Sequence, residues 1–354
     1  MQFRYQQQPA VIQFGKPFIQ TLEDELRRHE LKSIWIVASS RFNTLVGQIS
    51  QIKGVNVVEH FSRVIQHVPE DQVQKVRHSV AKLQPDLMLA IGGGSAIGLA
   101  KAAALKHPLP IWAVPTTFSG SEMTNVYGIS SNGKKDVGRH PDVLPQLVIY
   151  DPGLSRALPA SFVAKSSMNA MAHLVEAVYS TENNPFTYRS ALQGIELMYA
   201  AMNEFAEAGT LANPIHERFL MGGCLAGKVL NEVDMGLHHK AAHVLGGNFG
   251  LDHASVHTVL LPFVFNYQWN SLDEEIRSDF RIAFGADHPP LELFKTSERL
   301  KNPVSLKEIG FNSNQAESAA EQIMQLSFDN PAPMDQKRIS ALLHQAYSGK
   351  LVVG

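Results

Sequence analysis

Cysteine is almost absent from this chain, since Cys224 is the only one among 354 residues. A single cysteine cannot form an internal disulfide bond, so the sequence predicts a protein of a reducing compartment, the cytoplasm. An excess of charge is absent as well, because 31 lysines and arginines face 33 aspartates and glutamates. This balance does not favour nucleic acid or an anionic membrane surface as a partner.

Long apolar runs are also missing. Pro, Gly and Ser interrupt each apolar stretch before it reaches about 18 residues, the length that a transmembrane helix needs. The start of the chain, MQFRYQQQPAVIQFG, does not have the basic and then apolar layout of a secretory signal. With 44% apolar and 18% charged residues, the composition is typical of a globular chain, and its length leaves room for two domains.

The first half of the sequence alternates short apolar runs with helical patterns. The runs SIWIVAS (33–39), VNVVEHF (55–61), DLMLAIGG (86–93), PIWAVP (110–115) and QLVIYDP (146–152) predict strands. Such alternation is typical of a parallel sheet with helices on its faces. Between the last two runs, NVYGISSNGKKDVG predicts a β-hairpin with its turn at Asn132-Gly133.

Beyond Pro159 the sequence is helical almost throughout. Helical patterns cover 160–180, 185–208, 214–233, 238–246, 253–268, 272–284, 314–326 and 334–348. The stretch DPGLSRALPAS separates the two halves. We therefore predict an α/β domain over residues 1–157 and an all-helical domain over residues 158–354.

A glycine-rich turn follows the third of the predicted strands. Gly92, Gly93, Gly94 and Ser95 lead from the apolar run into a helix of small residues. Glycine lets the backbone approach an anion, and a helix N-terminus offers unpaired N–H groups. The pattern predicts a site for the pyrophosphate of a dinucleotide, although it lacks the spacing of the usual Rossmann fingerprint. The alternative is a tight strand-to-helix turn without a ligand.

A second polar segment, AVPTTFSGSE, follows the next strand directly. Its side chains Thr116, Thr117 and Ser119 can supply hydroxyl groups near the same site. Alone this is a weak signal, but beside the glycine-rich turn it favours a common cofactor-binding edge.

Histidines are concentrated in two segments of the helical half. In SSMNAMAHLVEA, Asn169 and His173 are four residues apart and share one helix face. In LHHKAAHVLGGNFGLDH, His239, His243 and His253 follow across a helix, a Gly-Gly break and the next turn. Three imidazoles with one carboxylate would suit Zn²⁺ or Fe²⁺, whereas an amide is a much weaker ligand. The layout predicts a functional cluster that resembles a metal site without its anionic ligand.

Simpler interpretations exist for each of these side chains. A single histidine in a helix is usually a hydrogen-bonded surface or core residue, and Asn169 could bridge buried polar groups. His238 has no assigned role and fits either a second layer around the cluster or the solvent-exposed surface.

Together these segments resemble the iron-containing alcohol dehydrogenase superfamily and, within it, the maleylacetate reductases. The resemblance extends nearly from end to end and rests on IGGGSAIGLAKA, PTTFSGSEMT, GRHPDVLPQLVIYDP, SSMNAMAHLVEA, GLHHKAAHVLGG, GLDHASVHTVLLP and NPAPMDQKRISALL. It implies a dinucleotide-binding α/β domain, an all-helical catalytic domain, the fold shared with dehydroquinate synthase, and a homodimer. It also implies a catalytic set at Asn169, His173, His239, His243 and His253, in which all but His243 correspond to metal ligands.

The amide at position 169 bears on what the resemblance implies about metal. Superfamily members that use a metal have Asp where this chain has Asn169, whereas maleylacetate reductases resemble this chain in having Asn there. The implied activity is NAD(P)H-dependent reduction of an unsaturated oxo-dicarboxylate, maleylacetate, in aromatic-compound degradation, with no metal required. The alternatives are a metal-dependent alcohol or polyol dehydrogenase and a lyase like dehydroquinate synthase.

Cofactor choice depends on the residues after the first predicted strand. Superfamily members that prefer NADH often have an acidic residue there, which binds the ribose hydroxyls. This chain has Ser39, Ser40 and Arg41 instead. No carboxylate repels a 2′-phosphate at this place, so we expect Ser39 to belong to the cofactor site and NADPH to be accepted, alongside NADH.

Overall fold

The computed structural model describes Tyr5 and residues 10–65, 68–131 and 134–353, without the side chains of residues 134 and 135. The chain divides into two compact units, residues 1–157 and 158–354. The first unit contains all the strands found in the described residues, and the second is helical. Within the same residues, no helix is both long and apolar enough to cross a membrane.

Parallel strands form the centre of the first unit. The strands are β1 (Val11–Phe14), β2 (Ser33–Ala38), β3 (Asn56–Phe61), β4 (Leu87–Gly92), β5 (Ile111–Pro115), β6 (Val126–Ser131), β7 (Lys134–Arg139) and β8 (Leu147–Tyr150). Six of them form one parallel sheet in the order β1-β8-β5-β4-β2-β3, and β6 and β7 pair separately as an antiparallel hairpin. The predicted hairpin turn at residues 132–133 lies outside the described residues.

The sequence predicted these strands with the exception of β1. VIQF is only four residues long, and both Val11 and Ile12 are exposed at the edge of the sheet, so no buried apolar run marks it. The glycine-rich turn consequently follows the fourth strand of the chain and not the third.

Helices cover both faces of the sheet: α1 (Phe18–Arg28), α2 (Asn43–Ile49), α3 (Glu70–Leu83) and α4 (Gly94–Ala104). Successive side chains of a strand point to opposite faces. Trp35 and Met88 therefore pack with residues of α3 and α4, whereas Ile36 and Leu89 pack with residues of α1 and α2. Because β4 is buried on both faces, its sequence LMLAIG is apolar throughout.

The second unit contains α5 (Ala160–Val178), α6 (Pro185–Ala208), α7 (Asn213–Glu232), α8 (Leu237–Asn248), α9 (His253–Trp269), α10 (Glu274–Phe284), α11 (Pro289–Arg299), α12 (Ala316–Met324) and α13 (Gln336–Ser348). Each predicted helical segment corresponds to one of them. The sequence did not predict α11, because two prolines open it. Proline is compatible with the first helical positions, where the backbone N–H has no partner inside the helix.

The predicted Gly-Gly break between His243 and His253 is wrong in position. Gly246 and Gly247 lie inside α8, which continues to Asn248. The chain then turns through Gly250, whose φ is +69°, and α9 begins at His253. The short connection keeps the ends of α8 and α9 close together.

Helices α5 and α6 approach each other closely at Gly194. A Cβ atom placed on Gly194 would lie 3.1 Å from Leu174 Cδ1 and 3.2 Å from Leu225 Cβ. Leu174 is fully buried and directly follows His173, so the contact also affects the helix that carries the predicted site residues. Glycine at position 194 is therefore required by packing.

Gly194→Ala is expected to lower the free energy of unfolding by about 1–3 kcal/mol, because an added methyl group overpacks a filled interior. Gly247→Ala is the matched control, since a Cβ there meets no atom within 4 Å and alanine is the better helix former. Urea unfolding followed by circular dichroism measures both variants. Equal midpoints for the two variants would show that the contact at Gly194 is not tight.

Candidate active site

The glycine-rich turn joins β4 to α4. Gly92 has φ = +152°, a backbone conformation that other residues rarely adopt. A Cβ atom on Gly93 would lie 2.7 Å from Thr117 Cγ2, and one on Gly94 would lie 3.4 Å from Ser119 Oγ. The structure therefore brings the two predicted phosphate-binding segments together, with glycine where they meet.

Polar groups at this place are suited to an anion. The Thr116 N–H donates to the Gly92 carbonyl at 2.9 Å, which fixes the second segment on the first. Ser119 Oγ is buried and has no hydrogen-bond partner in the described part of the chain. Gly94 and Ser95 open α4, where backbone N–H groups have no partner inside the helix. An unpartnered hydroxyl beside a helix N-terminus fits the phosphates of a dinucleotide.

Ser39 and Arg41 come to the same edge from the neighbouring strand. β2 pairs with β4, with Ala38 opposite Ile91, so the residues after the two strands are neighbours. Arg41 Nη2 donates to Thr116 Oγ1 at 2.9 Å. The predicted cofactor residues after β2, β4 and β5 thus form one contiguous group.

Lys101 and Glu122 are buried beside this group and were not predicted. Lys101 Nζ donates to the Thr124 carbonyl at 2.6 Å and to the Val126 carbonyl at 3.1 Å, which ties α4 to the segment after Ser119. Burial lowers the pKa of Lys101 to about 7 and raises the pKa of Glu122 to about 7. A lone lysine in the apolar helix IGLAKAAAL is the signal that could have identified the tie.

The predicted histidines form one cluster, carried by α5, α8 and α9. His173 stacks on His239 with ring centroids 4.7 Å apart, and His243 stacks on His253 at 5.5 Å. His257 joins the two pairs, because its ring lies 4.8 Å from that of His239 and 4.4 Å from that of His253.

His257 belongs to the cluster, and His238 packs against it; the sequence assigned a site role to neither. His257 is one helical turn after His253, so the four-residue spacing that links Asn169 and His173 would have identified it. His238 Nε2 donates to the His257 carbonyl at 2.9 Å, and the His238 side chain is fully buried. The solvent-exposed interpretation of His238 is therefore wrong, and it belongs to the layer around the cluster.

The nitrogen atoms that lie closest together differ from the predicted ligand set. Among the described residues, two triplets place ring nitrogens within 4.8 Å of one another: His238, His239 and His257, and His243, His253 and His257. Neither triplet contains His173. Asn169 is half-buried on α5, one turn before His173.

Glu176 fixes the orientation of the His239 ring by a hydrogen bond to its Nδ1 atom. Its Oε2 lies 2.6 Å from His239 Nδ1, and its Oε1 accepts the His238 N–H at 2.8 Å. Burial raises the pKa of Glu176 to about 8, and backbone N–H groups of Gly236, His238 and His239 act in the opposite direction. With the shared proton on Nδ1, His239 presents the lone pair of Nε2, a buried atom for which the described residues supply no hydrogen-bond partner.

Burial keeps the inner imidazoles neutral. Desolvation, followed by repulsion from neighbouring histidines, lowers the pKa of His173 to about 3 and lowers those of His239 and His257 well below the usual value. His243 and His253 are exposed. The cluster therefore combines an inner group of neutral rings with an outer pair in contact with water.

Imidazole nitrogens of the cluster are chemically suitable ligands for a divalent transition metal. His173 Nδ1, His239 Nε2 and His257 Nδ1 are buried and have no hydrogen-bond partner within the described residues. Imidazole nitrogen is a common ligand of zinc and iron, and the second nitrogen of His239 already contacts a carboxylate, as in many metal sites. The cluster has no carboxylate at position 169, so a cation there would be held by neutral donors.

Two family profiles match most of the length of the chain. The profile of the family described as iron-containing alcohol dehydrogenase matches residues 9–152, and that of the C-terminal region of the Fe-containing alcohol dehydrogenase family matches residues 163–347. The chain belongs to the iron-containing alcohol dehydrogenase family and is an oxidoreductase. This confirms the predicted family, enzyme class and fold.

Within this family, the chain is similar to several maleylacetate reductases. A maleylacetate reductase of Burkholderia cepacia is 37% identical over 345 residues, which cover 96% of each chain. The crystal structure of maleylacetate reductase from Rhizobium sp. strain MTP-10005 superposes with a TM-score of 0.92 at 31% identity, and that from Agrobacterium tumefaciens with 0.91 at 30%, each over 99% of both chains. Use of NAD(P)H is consistent with this family. The family is named for iron, so the comparisons give no support to the expectation that a metal is dispensable.

Gly93→Val is expected to raise the KM for NADH and NADPH about tenfold or more, because the side chain would displace Thr117 and occupy the space for the pyrophosphate. Gly47→Val is the control, since Gly47 is exposed on α2 and a Cβ there meets no atom within 4 Å. Steady-state kinetics with each cofactor measures the effect. Unchanged cofactor KM in a folded Gly93→Val protein would show that the phosphates bind elsewhere.

Proposed function

We propose that this chain is a maleylacetate reductase, which uses NAD(P)H to reduce the carbon–carbon double bond of maleylacetate to give 3-oxoadipate. The observation that carries the proposal is similarity to maleylacetate reductases over nearly the whole length of the chain. The histidine cluster with Asn169 beside it is in accord with this chemistry.

The reaction needs a proton donor and a partner for negative charge. When bound, the reduced nicotinamide supplies a hydride to the carbon β to the ketone, which leaves an enolate. Neutral N–H groups of the cluster stabilise the enolate oxygen, since donors in a water-poor site act strongly on developing charge. His243 and His253, the exposed pair, deliver the proton to the α-carbon, either directly or through water.

The N-terminal unit binds the cofactor in this proposal. Gly92, Gly93, Gly94 and Ser95 hold the pyrophosphate, assisted by the hydroxyl groups of Thr116, Thr117 and Ser119. Ser39 and Arg41 lie at the ribose end, where the guanidinium can attract a 2′-phosphate and no carboxylate repels it. We therefore propose that NADPH and NADH are both accepted.

A resident metal is not required in this proposal. His173, His239 and His253, the ligand positions that the family resemblance implies, would hold a divalent ion, which would act as a Lewis acid on the ketone oxygen. Asn169 replaces the anionic ligand with a neutral amide, which weakens binding of such an ion. Reduction of an enone depends less on a cation than alcohol oxidation does, because no alkoxide must be generated.

A metal-dependent alcohol dehydrogenase is the second candidate. The observation in its favour is the pair of histidine triplets with ring nitrogens within 4.8 Å of one another. The two candidates differ in their substrate, since the alternative enzyme would reduce simple aldehydes and ketones.

We also propose that the protein works as a homodimer in the cytoplasm. The single cysteine agrees with a reducing compartment. Light scattering coupled to size-exclusion chromatography tests the assembly.

Consumption of NADH and NADPH at 340 nm tests the function. Maleylacetate is expected to be reduced with a kcat/KM at least about a hundredfold above that of any aldehyde or ketone in a panel, since transition-state contacts decide specificity. The product should be 3-oxoadipate by mass spectrometry. Preference for a simple aldehyde would establish the alternative.

His243→Ala and His253→Ala are each expected to lower kcat about 10²-fold, the usual scale for a lost acid or oxyanion donor. The KM for the cofactor should barely change. His344→Ala on the exposed face of α13 is the control. Near-normal turnover of a folded double variant would remove the pair from the mechanism.

Purified protein is expected to contain much less than one Fe or Zn per chain and to keep its activity after chelation. The reason is that position 169 holds a neutral amide where a metal site would have a carboxylate. Asn169→Asp is the matched variant, and its metal content should rise. Elemental analysis measures both proteins. Stoichiometric metal in the wild type, with activity lost to a chelator and restored by one cation, contradicts metal independence.

A further inference from the structure

Lys165 lies on the same face of α5 as two predicted site residues. Lys165, Asn169 and His173 are spaced four residues apart, so their side chains form one row along the helix. Eight residues of helix span about 12 Å, so this row has the length of a small substrate. Its ends differ in character, since His173 is buried and the Lys165 side chain is 35% exposed.

The ammonium group of Lys165 is fixed at the start of α9. Lys165 Nζ donates to Ser255 Oγ at 2.8 Å, and Ser255 lies between His253 and His257 in the sequence. Asp252 Oδ2 is 3.6 Å from Nζ and accepts from both the N–H and the hydroxyl of Ser255, at 2.9 and 2.6 Å. Lys165 is therefore held next to the helix turn that carries His253.

Lys165 brings a positive charge to this row of side chains. The next residue in the row, Asn169, is a neutral amide. An ammonium group has three N–H donors, and the hydroxyl of Ser255 uses one of them. The Asp252 carboxylate is 65% exposed and already caps α9, so its long contact with Nζ is a weak ion pair. The first turn of α9 adds the positive end of a helix dipole.

We propose that Lys165 binds a carboxylate of the substrate and selects anionic over neutral substrates. This inference rests on the proposed function, because it assigns one part of the same site. One carboxylate of maleylacetate is attached to the carbon that accepts the hydride, and its ketone lies two carbons further along. Anchoring that carboxylate at one end of the row directs the ketone oxygen towards the histidines.

Steady-state kinetics of Lys165→Met and Lys165→Arg tests the proposal. Lys165→Met is expected to raise the KM for maleylacetate about tenfold or more and to change kcat and the cofactor KM little, because a charge-assisted contact to the ground state is lost. Lys165→Arg should restore most of the affinity, and the neutral dimethyl ester of the substrate should not distinguish the variants. Lys295→Met, which removes a lysine paired with Glu292 on α11, is the control.

Direct binding separates this proposal from the proposed function. Succinate serves as a non-reacting dianion, and calorimetry with the NADPH-loaded protein measures its affinity for wild type and Lys165→Met. Weaker succinate binding to the variant supports the anchor even if maleylacetate proves not to be the substrate. Equal succinate affinities, or an unchanged KM for maleylacetate in folded Lys165→Met, would overturn it.

Discussion

Removal of imidazole rings from water is the constraint on which the chemistry of the C-terminal unit depends. Packing of α5, α8 and α9 buries His173, His239 and His257 and holds them close together. A positive charge on any of them would be poorly solvated, and charges on two of them would repel each other, so they remain neutral. Neutral rings in a rigid group serve as donors and acceptors of fixed direction, and Glu176 sets that direction for His239.

The N-terminal unit reaches its arrangement by a different route. Parallel strands end at the same edge of the sheet, so residues that are far apart in sequence become neighbours there. Arg41 and Thr116, 75 positions apart, share a hydrogen bond for this reason. Lys101 in α4 donates hydrogen bonds to the carbonyls of Thr124 and Val126. These bonds fix the helix to the segment that follows Ser119.

Much of this architecture could be predicted, because periodicity and small residues are local properties. The strands β2, β4 and β5 are buried and apolar, so they stand out in the sequence, whereas β1 is short and exposed and does not. Helix α11 was not predicted because it begins with two prolines, which usually mark the end of a helical pattern. The sequence shows which residues share a helix face, as with Asn169 and His173, but the packing partner of that face is set by tertiary contacts. For that reason the contacts of His238, Glu176 and Lys165 emerge only from the structure.

Gly93 and Thr117 form a single steric unit, and this has a consequence for how the sequence can vary. The threonine methyl group occupies the volume that a Cβ on residue 93 would need, at 2.7 Å. A larger residue at one position needs space that the other side chain occupies, so the effects of substitutions at the two sites do not add. A search for variants with altered affinity for the cofactor's pyrophosphate should therefore randomise both codons together.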